Sequence, residues 1–273
     1  MTVPVLSLVE FAGRPAPAPD APLVVLGPSL GTSAASLWTG AARALPGTFR
    51  VVGWDLPGHG ASVPAGEPFT MAELARGVLD AVDAQFSDER PFFYAGNSVG
   101  GCVGQQLMLD APRRVRAAVL LGTAARVGEP SGWAERGELV ATAGTPTQVV
   151  GSAQRWFAPG FIGRDAVTTT ALLHDLQDAD RFSYARVCEA LGGFDVRERL
   201  GAVRTPVLAV AGAHDVATPP ADTAHLAEAT GGRAVVLPDV AHLVPAEAPL
   251  DVARLLAEHF TAHLTHESEG ARA

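Results

Sequence analysis

The sequence predicts an α/β protein: a mostly parallel central sheet flanked by helices, with a helical cap inserted between two of its strands. Three observations carry this. Short apolar runs bounded by turn residues recur along the chain. Helix-length segments separate several of them, which is how a parallel sheet is built and covered on both faces. That alternation stops between Gly122 and Thr205, where helical periodicity continues but no convincing strand appears.

In chain order, Val3–Phe11 predicts an antiparallel edge strand, with PAPAPDAP as its turn. Pro22–Leu26, Phe49–Trp54, Pro91–Tyr94 and Val115–Leu121 read as buried strands. Ala34–Leu45, Met71–Phe86 and Val99–Leu109 read as the helices between them. In the interrupted region, Glu138–Val150 and Tyr184–Leu191 carry a helical period, and many glycines and prolines predict short helices at angles to one another. Pro206–Ala211 and Ala234–Leu237 resume the strands, with Asp222–Ala229 and Leu250–His263 as the last helices. The expected organisation is a core of residues 1–122 and 205–273, a cap of residues 123–204, and frayed ends at about 1–3 and 266–273.

Composition narrows the partners. The 273 residues carry a formal charge of −9, and every basic residue other than histidine is arginine. Net negative charge argues against sequence-independent binding to nucleic acid or anionic membrane. An anionic substrate would therefore need a local basic pocket. Residues 1–13 lack a basic start, and no apolar run approaches the ~20 residues of a membrane span. Cys102 and Cys188 have no partner at metal or redox spacing. The expectation is a cytoplasmic, reduced chain that needs no metal.

Tyr94–Gly104, YAGNSVGGCVG, places Ser98 among glycines between a predicted strand and a predicted helix. Gly96-Asn97-Ser98-Val99-Gly100 fits G-x-S-x-G in the context where that motif forms a nucleophile elbow. Residues two positions either side must lack bulk there, because strand and helix approach closely. The plainer alternative is a glycine-rich turn that binds phosphate at a helix N-terminus.

A serine nucleophile needs a base, and the base an orienting carboxylate. In this arrangement the chain order is serine, acid, histidine. Asp215 follows the strand Pro206–Ala211, and His242 follows the strand Ala234–Leu237. Both addresses are carboxyl ends of strands, where open parallel sheets place their ligands. Asp239 is the rival acid, and Asp55 reads as structural. Among eight histidines, His59 reads as a loop brace, His214 as a structural hydrogen-bonder beside the acid, and His174 and His225 as surface. His259, His263 and His266 read as a solvated helix face, not a metal site. The oxyanion donors should be the N–H of Val99 and one from GPSLGTSAASLW, with Leu30 first and Gly31 next.

With those residues in place, the chain resembles the α/β-hydrolase superfamily over its whole length, and within it the 3-oxoadipate enol-lactonases. The resemblance rests on LGPSLGTS, GWDLPGHGAS, AGNSVGG, RWFAPGF, YARVCEALGGFDVRERL, AGAHDVATPP and the AHL around His242. Asn97 inside the elbow and LVPAEAP after His242 depart from the family's pattern. The resemblance implies cofactor-free hydrolysis of 3-oxoadipate enol-lactone to 3-oxoadipate through a Ser98 acyl-enzyme, with His242 as base and Asp215 as its support. It also implies a substrate carboxylate. Trp133, Arg136, Arg155 and Trp156 are the cap residues placed to meet it, because arginine suits bidentate carboxylate recognition. The rival readings are another small carboxylesterase or lactonase, a cofactor-free haloperoxidase-type relative, and a non-catalytic member that binds a small ligand.

Overall fold

The computed structural model describes residues 2–86 and 89–264. Seven strands form one sheet: β1 (Leu8–Glu10), β2 (Leu23–Gly27), β3 (Arg50–Trp54), β4 (Phe92–Asn97), β5 (Val115–Leu121), β6 (Val207–Gly212) and β7 (Arg233–Leu237). Their order across the sheet is β1-β3-β2-β4-β5-β6-β7. Only β1 runs antiparallel, pairing Leu8 with Trp54 of β3. It spans three residues of the nine expected, so most of Val3–Phe11 is not strand. From β2 the chain builds outward to β3, then crosses back to place β4 on the other flank of β2. The carboxyl ends of β2 and β4 therefore lie side by side, Gly27 against Gly96. That reversal opens the crevice in which such sheets hold ligands.

Helices α1 (Ala34–Ala44), α2 (Met71–Phe86) and α3 (Val99–Asp110) follow the first strands. Five more fill the interval between β5 and β6: α4 (Pro130–Ala143), α5 (Val149–Trp156), α6 (Phe161–Arg164), α7 (Ala166–Asp178) and α8 (Arg181–Gly192). Then come α9 (Pro220–Thr230), α10 (Val244–Glu247) and α11 (Pro249–Thr261). Successive strand residues face opposite sides of a sheet, and two residues of β4 display the two layers. Phe93 stacks on Phe260 of α11 at 4.8 Å, and Phe49 meets both rings edge-on. Tyr94 turns to the other face and donates its hydroxyl to Gly100 O of α3 at 2.8 Å. Each such ring is fully buried or nearly so, which stabilises the fold by roughly 1.5–3 kcal/mol apiece.

The periodic stretch Glu138–Val150 divides into short helical pieces, in line with its glycine and proline: α4 stops at Ala143 because Gly144 takes φ 88°, and a short 3-10 turn, Thr145–Gln148, precedes α5. Glycine adopts that conformation freely, and Pro146 cannot continue a helical hydrogen-bond ladder. The strand Ala234–Leu237 is not buried. It is an edge strand with a single neighbour, and Val236 is 47% exposed. The stretch 266–273, with His266, lies outside the described residues.

Candidate active site

Ser98 is the one non-glycine among the described residues with a left-handed backbone, φ 54° and ψ −117°. Such a conformation costs about 1–3 kcal/mol and persists only where its surroundings enforce it. Here they do. Ser98 N–H donates to Leu121 O at 2.9 Å, and Ser98 O accepts from Thr123 Oγ1 at 2.8 Å and Cys102 N at 3.1 Å. The turn also needs bare neighbours. A Cβ on Gly96 would lie 2.2 Å from Gly100 O, and one on Gly100 would lie 2.6 Å from the backbone of Gly27 and Pro28. Ser98 makes no side-chain capping bond to α3. Its Oγ stands 3.0 Å from His242 Nε2 instead.

His242 Nδ1 lies 2.8 Å from Asp215 Oδ2, and both residues are buried. Asp215 is fixed in turn by three donors: Ala217 N at 2.8 Å, Thr218 N at 3.0 Å and Thr218 Oγ1 at 2.8 Å. Burial alone would raise the Asp215 carboxyl. The neighbouring His242 and the bonds from His242 and Thr218 outweigh it and hold the group below its ordinary value. Asp215 thus stays ionised, poised to steady a positive imidazole. The rival Asp239 is exposed. Asp55 accepts from Ala34 N at 2.7 Å and Ala61 N at 2.8 Å, fixing the start of α1 and the loop after β3.

The two positions expected to donate to an oxyanion, Leu30 and Val99, flank this serine. Gly100 N donates to Pro28 O at 2.9 Å, which ties the loop after β2 to the elbow. Ser29 and Thr32 close a tight turn around Leu30. Neither Leu30 N–H nor Val99 N–H is paired with an acceptor among the described residues. Leu30 lines the cavity above Ser98, and Gly31, at φ 85°, packs beneath Leu176.

That cavity holds about 180 Å³ and is also lined by Trp133, Arg136, Arg155, Trp156 and His242. All four aromatic and basic residues named from the inserted region therefore face the serine. Arg136 lies over the rings of Trp133 and Tyr184, at 5.5 Å and 5.4 Å, and donates to the Tyr184 hydroxyl. Its buried Nε has no partner. Burial pushes the Tyr184 hydroxyl up to about 12, against the pull of Arg136. Burial, and then the proximity of Arg136, lower the Arg155 guanidinium. Among the described residues no carboxylate pairs with either arginine. Two cations share one small cavity without a counter-ion, and that arrangement suits an anionic ligand.

The other histidines stand apart. His59 is buried, with Nδ1 2.9 Å from Pro57 O and its ring stacked on Tyr184. His174 and His225 are exposed. His214 is exposed and uses its backbone N–H, not its ring, to bond Val240 O. His259 is half-buried against Pro206 O, so the C-terminal histidine face is only partly solvated. Among the described residues no group of three or more His, Cys, Asp or Glu is arranged to hold a metal ion, and no helix is long and apolar enough to cross a membrane.

Three contributors escape sequence reasoning. Thr218 completes the Asp215 cradle, and its spacing of three after an aspartate is a legible turn signal. Asn97 Nδ2 donates to His242 O at 3.1 Å, which gives the unusual elbow residue a task. Glu247 accepts from Ala241 N at 2.8 Å, and nothing local announces that contact.

Comparison with known proteins places the chain among hydrolases. A family model described as serine aminopeptidase, S33, matches residues 42–248. The chain is 33% identical to 3-oxoadipate enol-lactonase 2 of Acinetobacter baylyi over 230 residues, covering 84% of this chain and 85% of that protein. It is 29% identical to a putative carbamate hydrolase of Agrobacterium fabrum, covering 77% and 81%. The crystal structure of the enol-lactonase from Burkholderia xenovorans LB400 superposes with a TM-score of 0.84 at 29% identity, covering 94% of this chain and 95% of that one.

Proposed function

The chain belongs to the α/β-hydrolase family, and from that premise we propose that it hydrolyses 3-oxoadipate enol-lactone to 3-oxoadipate, as a step in aromatic-compound catabolism. One observation carries the reading: a hydroxyl–imidazole–carboxylate chain of 3.0 Å and 2.8 Å opens beneath two arginines that lack a counter-ion. The family supplies the reaction class, ester or lactone hydrolysis. The arginines supply the preference for a substrate with a carboxylate.

In this mechanism Ser98 Oγ attacks the lactone carbonyl while His242 Nε2 takes its proton. Asp215 steadies the imidazolium, and the N–H groups of Leu30 and Val99 hold the oxyanion. Collapse breaks the ring C–O bond and expels an enolate, a better leaving group than an ordinary alkoxide. The His242 imidazolium gives its proton to the enolate, which ketonises while its chain stays tethered through the Ser98 ester, and His242 is neutral again. His242 then deprotonates a water that attacks this ester, releasing 3-oxoadipate and restoring the serine. The helices between β5 and β6 act as the cap, with Trp133 and Trp156 walling the cavity and Arg136 and Arg155 meeting the carboxylate.

Incubation with enzymatically generated enol-lactone, followed by product identification, should yield 3-oxoadipate. Turnover should exceed that of p-nitrophenyl acetate or a small carbamate. Clearly faster cleavage of the simple ester would replace the reading with a general esterase, and of the carbamate with a carbamate hydrolase.

Arg155→Met isolates the recognition step, because among the described residues Arg155 has no hydrogen-bond partner to leave stranded. A charged hydrogen bond contributes about 1.5–3 kcal/mol. KM for the enol-lactone should therefore rise about 10- to 100-fold, by the factor-of-ten rule for each 1.4 kcal/mol. The kcat/KM for p-nitrophenyl acetate should move less than about threefold, since a neutral ester does not use the guanidinium. Equal losses on both substrates would count against a carboxylate-binding role.

A further inference from the structure

His242 sits in a loop, and a loop needs external ties to hold an imidazole within hydrogen-bond reach of Ser98. The backbone around it has three. Asn97, from the elbow, holds His242 O at 3.1 Å. Leu243 N–H, the next donor along, bonds Trp156 O at 3.2 Å. Glu247 supplies the third and spans two segments: Oε1 accepts from Ala241 N at 2.8 Å and Oε2 from Ala158 N at 2.7 Å. Ala241 precedes the histidine. Ala158 follows Trp156 by two residues, just past the end of α5, and Trp156 lines the cavity.

We propose that Glu247 is the positioning residue of the catalytic base: its carboxylate clamps the His242 loop to the Trp156–Ala158 segment, so that aligning the imidazole and setting one wall of the substrate cavity are a single structural event. The two donors are backbone amides, which cannot turn away. A carboxylate satisfies both. A carboxylic acid keeps one full acceptor and offers only a weak hydroxyl oxygen to the other N–H, and an amide must aim an N–H at it, which breaks that bond. Glu247 is 8% exposed, so water does not readily replace the lost partner.

The charged groups that face Glu247 are Arg164 of α6 and His242 itself, and both favour ionisation. Burial outweighs them and pushes the carboxyl up to about 7 from an ordinary 4.5. The sign follows: folding favours the neutral acid between those values, so the ionised clamp costs stability as pH rises through that window. Protonation therefore does not unfold the protein. It weakens one of the two acceptors while leaving the chain folded.

The inference rests on His242 being the base, and the test keeps the two apart. The pH dependence of kcat/KM for p-nitrophenyl acetate is measured for wild type and Glu247→Gln, with thermal melts to confirm folding. Protonation of Glu247 should remove up to about a further tenfold in the wild type, so log kcat/KM should fall on the acid side with a slope clearly above one over about a pH unit before settling back to one. In Glu247→Gln, a permanent mimic of the neutral acid, the slope should drop to about one. Its kcat at about pH 8 should be some tenfold lower, with KM changed less than about twofold. A wild-type slope of about one, or a folded Gln variant within about twofold of wild type, overturns the clamp. If the Gln variant does not fold, the wild-type slope decides alone. Labelling of Ser98 by a fluorophosphonate, and its loss in His242→Ala, report on the base independently of Glu247.

Discussion

Ser98→Ala is expected to give a folded protein that turns over its substrate at least about 10⁴-fold more slowly than the wild type. The size follows from the chemistry: without Oγ there is no acyl-enzyme, and only the oxyanion donors and substrate binding remain. The fold should hardly notice. Among the described residues Oγ makes one hydrogen bond, to His242, and it does not cap α3. Its loss removes about 1 kcal/mol, a shift of roughly 2–4 °C in a chain of this size. His242→Ala should cost a similar factor, and the double variant little more than either, because the two act as one unit. A melt by circular dichroism beside steady-state kinetics checks all three. A folded Ser98→Ala variant within tenfold of wild type would remove the nucleophile assignment.

Gly96→Ala is expected to lose about 3 kcal/mol or more, toward and beyond the upper end for overpacking. Space decides it. The new Cβ would sit 2.2 Å from Gly100 O, 2.3 Å from Gly100 C and 2.8 Å from Gly101 N. All three are backbone atoms at the start of α3, so no side chain can swing aside. Relief requires moving β4 away from α3 and carrying Ser98 with it, so residual folded protein should also lose activity. The control is Gly163→Ala, whose Cβ meets nothing within 4 Å. Gly163 lies in α6, where alanine is favoured over glycine by about 1 kcal/mol. Melting midpoints should diverge in opposite directions. A Gly96→Ala protein that melts with the wild type would show that the elbow is not tightly packed.

The contrast between these glycines shows what a sequence can and cannot display. Gly96 and Gly100 are legible because the elbow is a local feature: strand, turn and helix meet within a few residues. The acid and the base are legible by address, since each follows a strand at its carboxyl end. The glycines and prolines of the inserted region announce short helices, but the apolar period runs through Gly144 and Pro146 and so does not locate the break. The exposure of β7 depends on its place at the sheet edge, which strand composition does not encode. Contacts such as Glu247 with Ala158, or Asp175 with Ser33 N at 2.8 Å, join residues 89 and 142 positions apart. Such contacts follow from packing the helices over the sheet, and no short window records them.

The reversal of strand order beside β2 has a last consequence. Ser98, Asp215, His242 and the backbone around Leu30 all hang from the rim of the sheet, whereas Arg136 and Arg155 hang from the helices between β5 and β6. In the proposed mechanism the atoms that make and break bonds are thus mounted on one scaffold, and those that choose the molecule on another. Substitution confined to the second can redirect the enzyme toward a different ester while its chemistry is inherited intact.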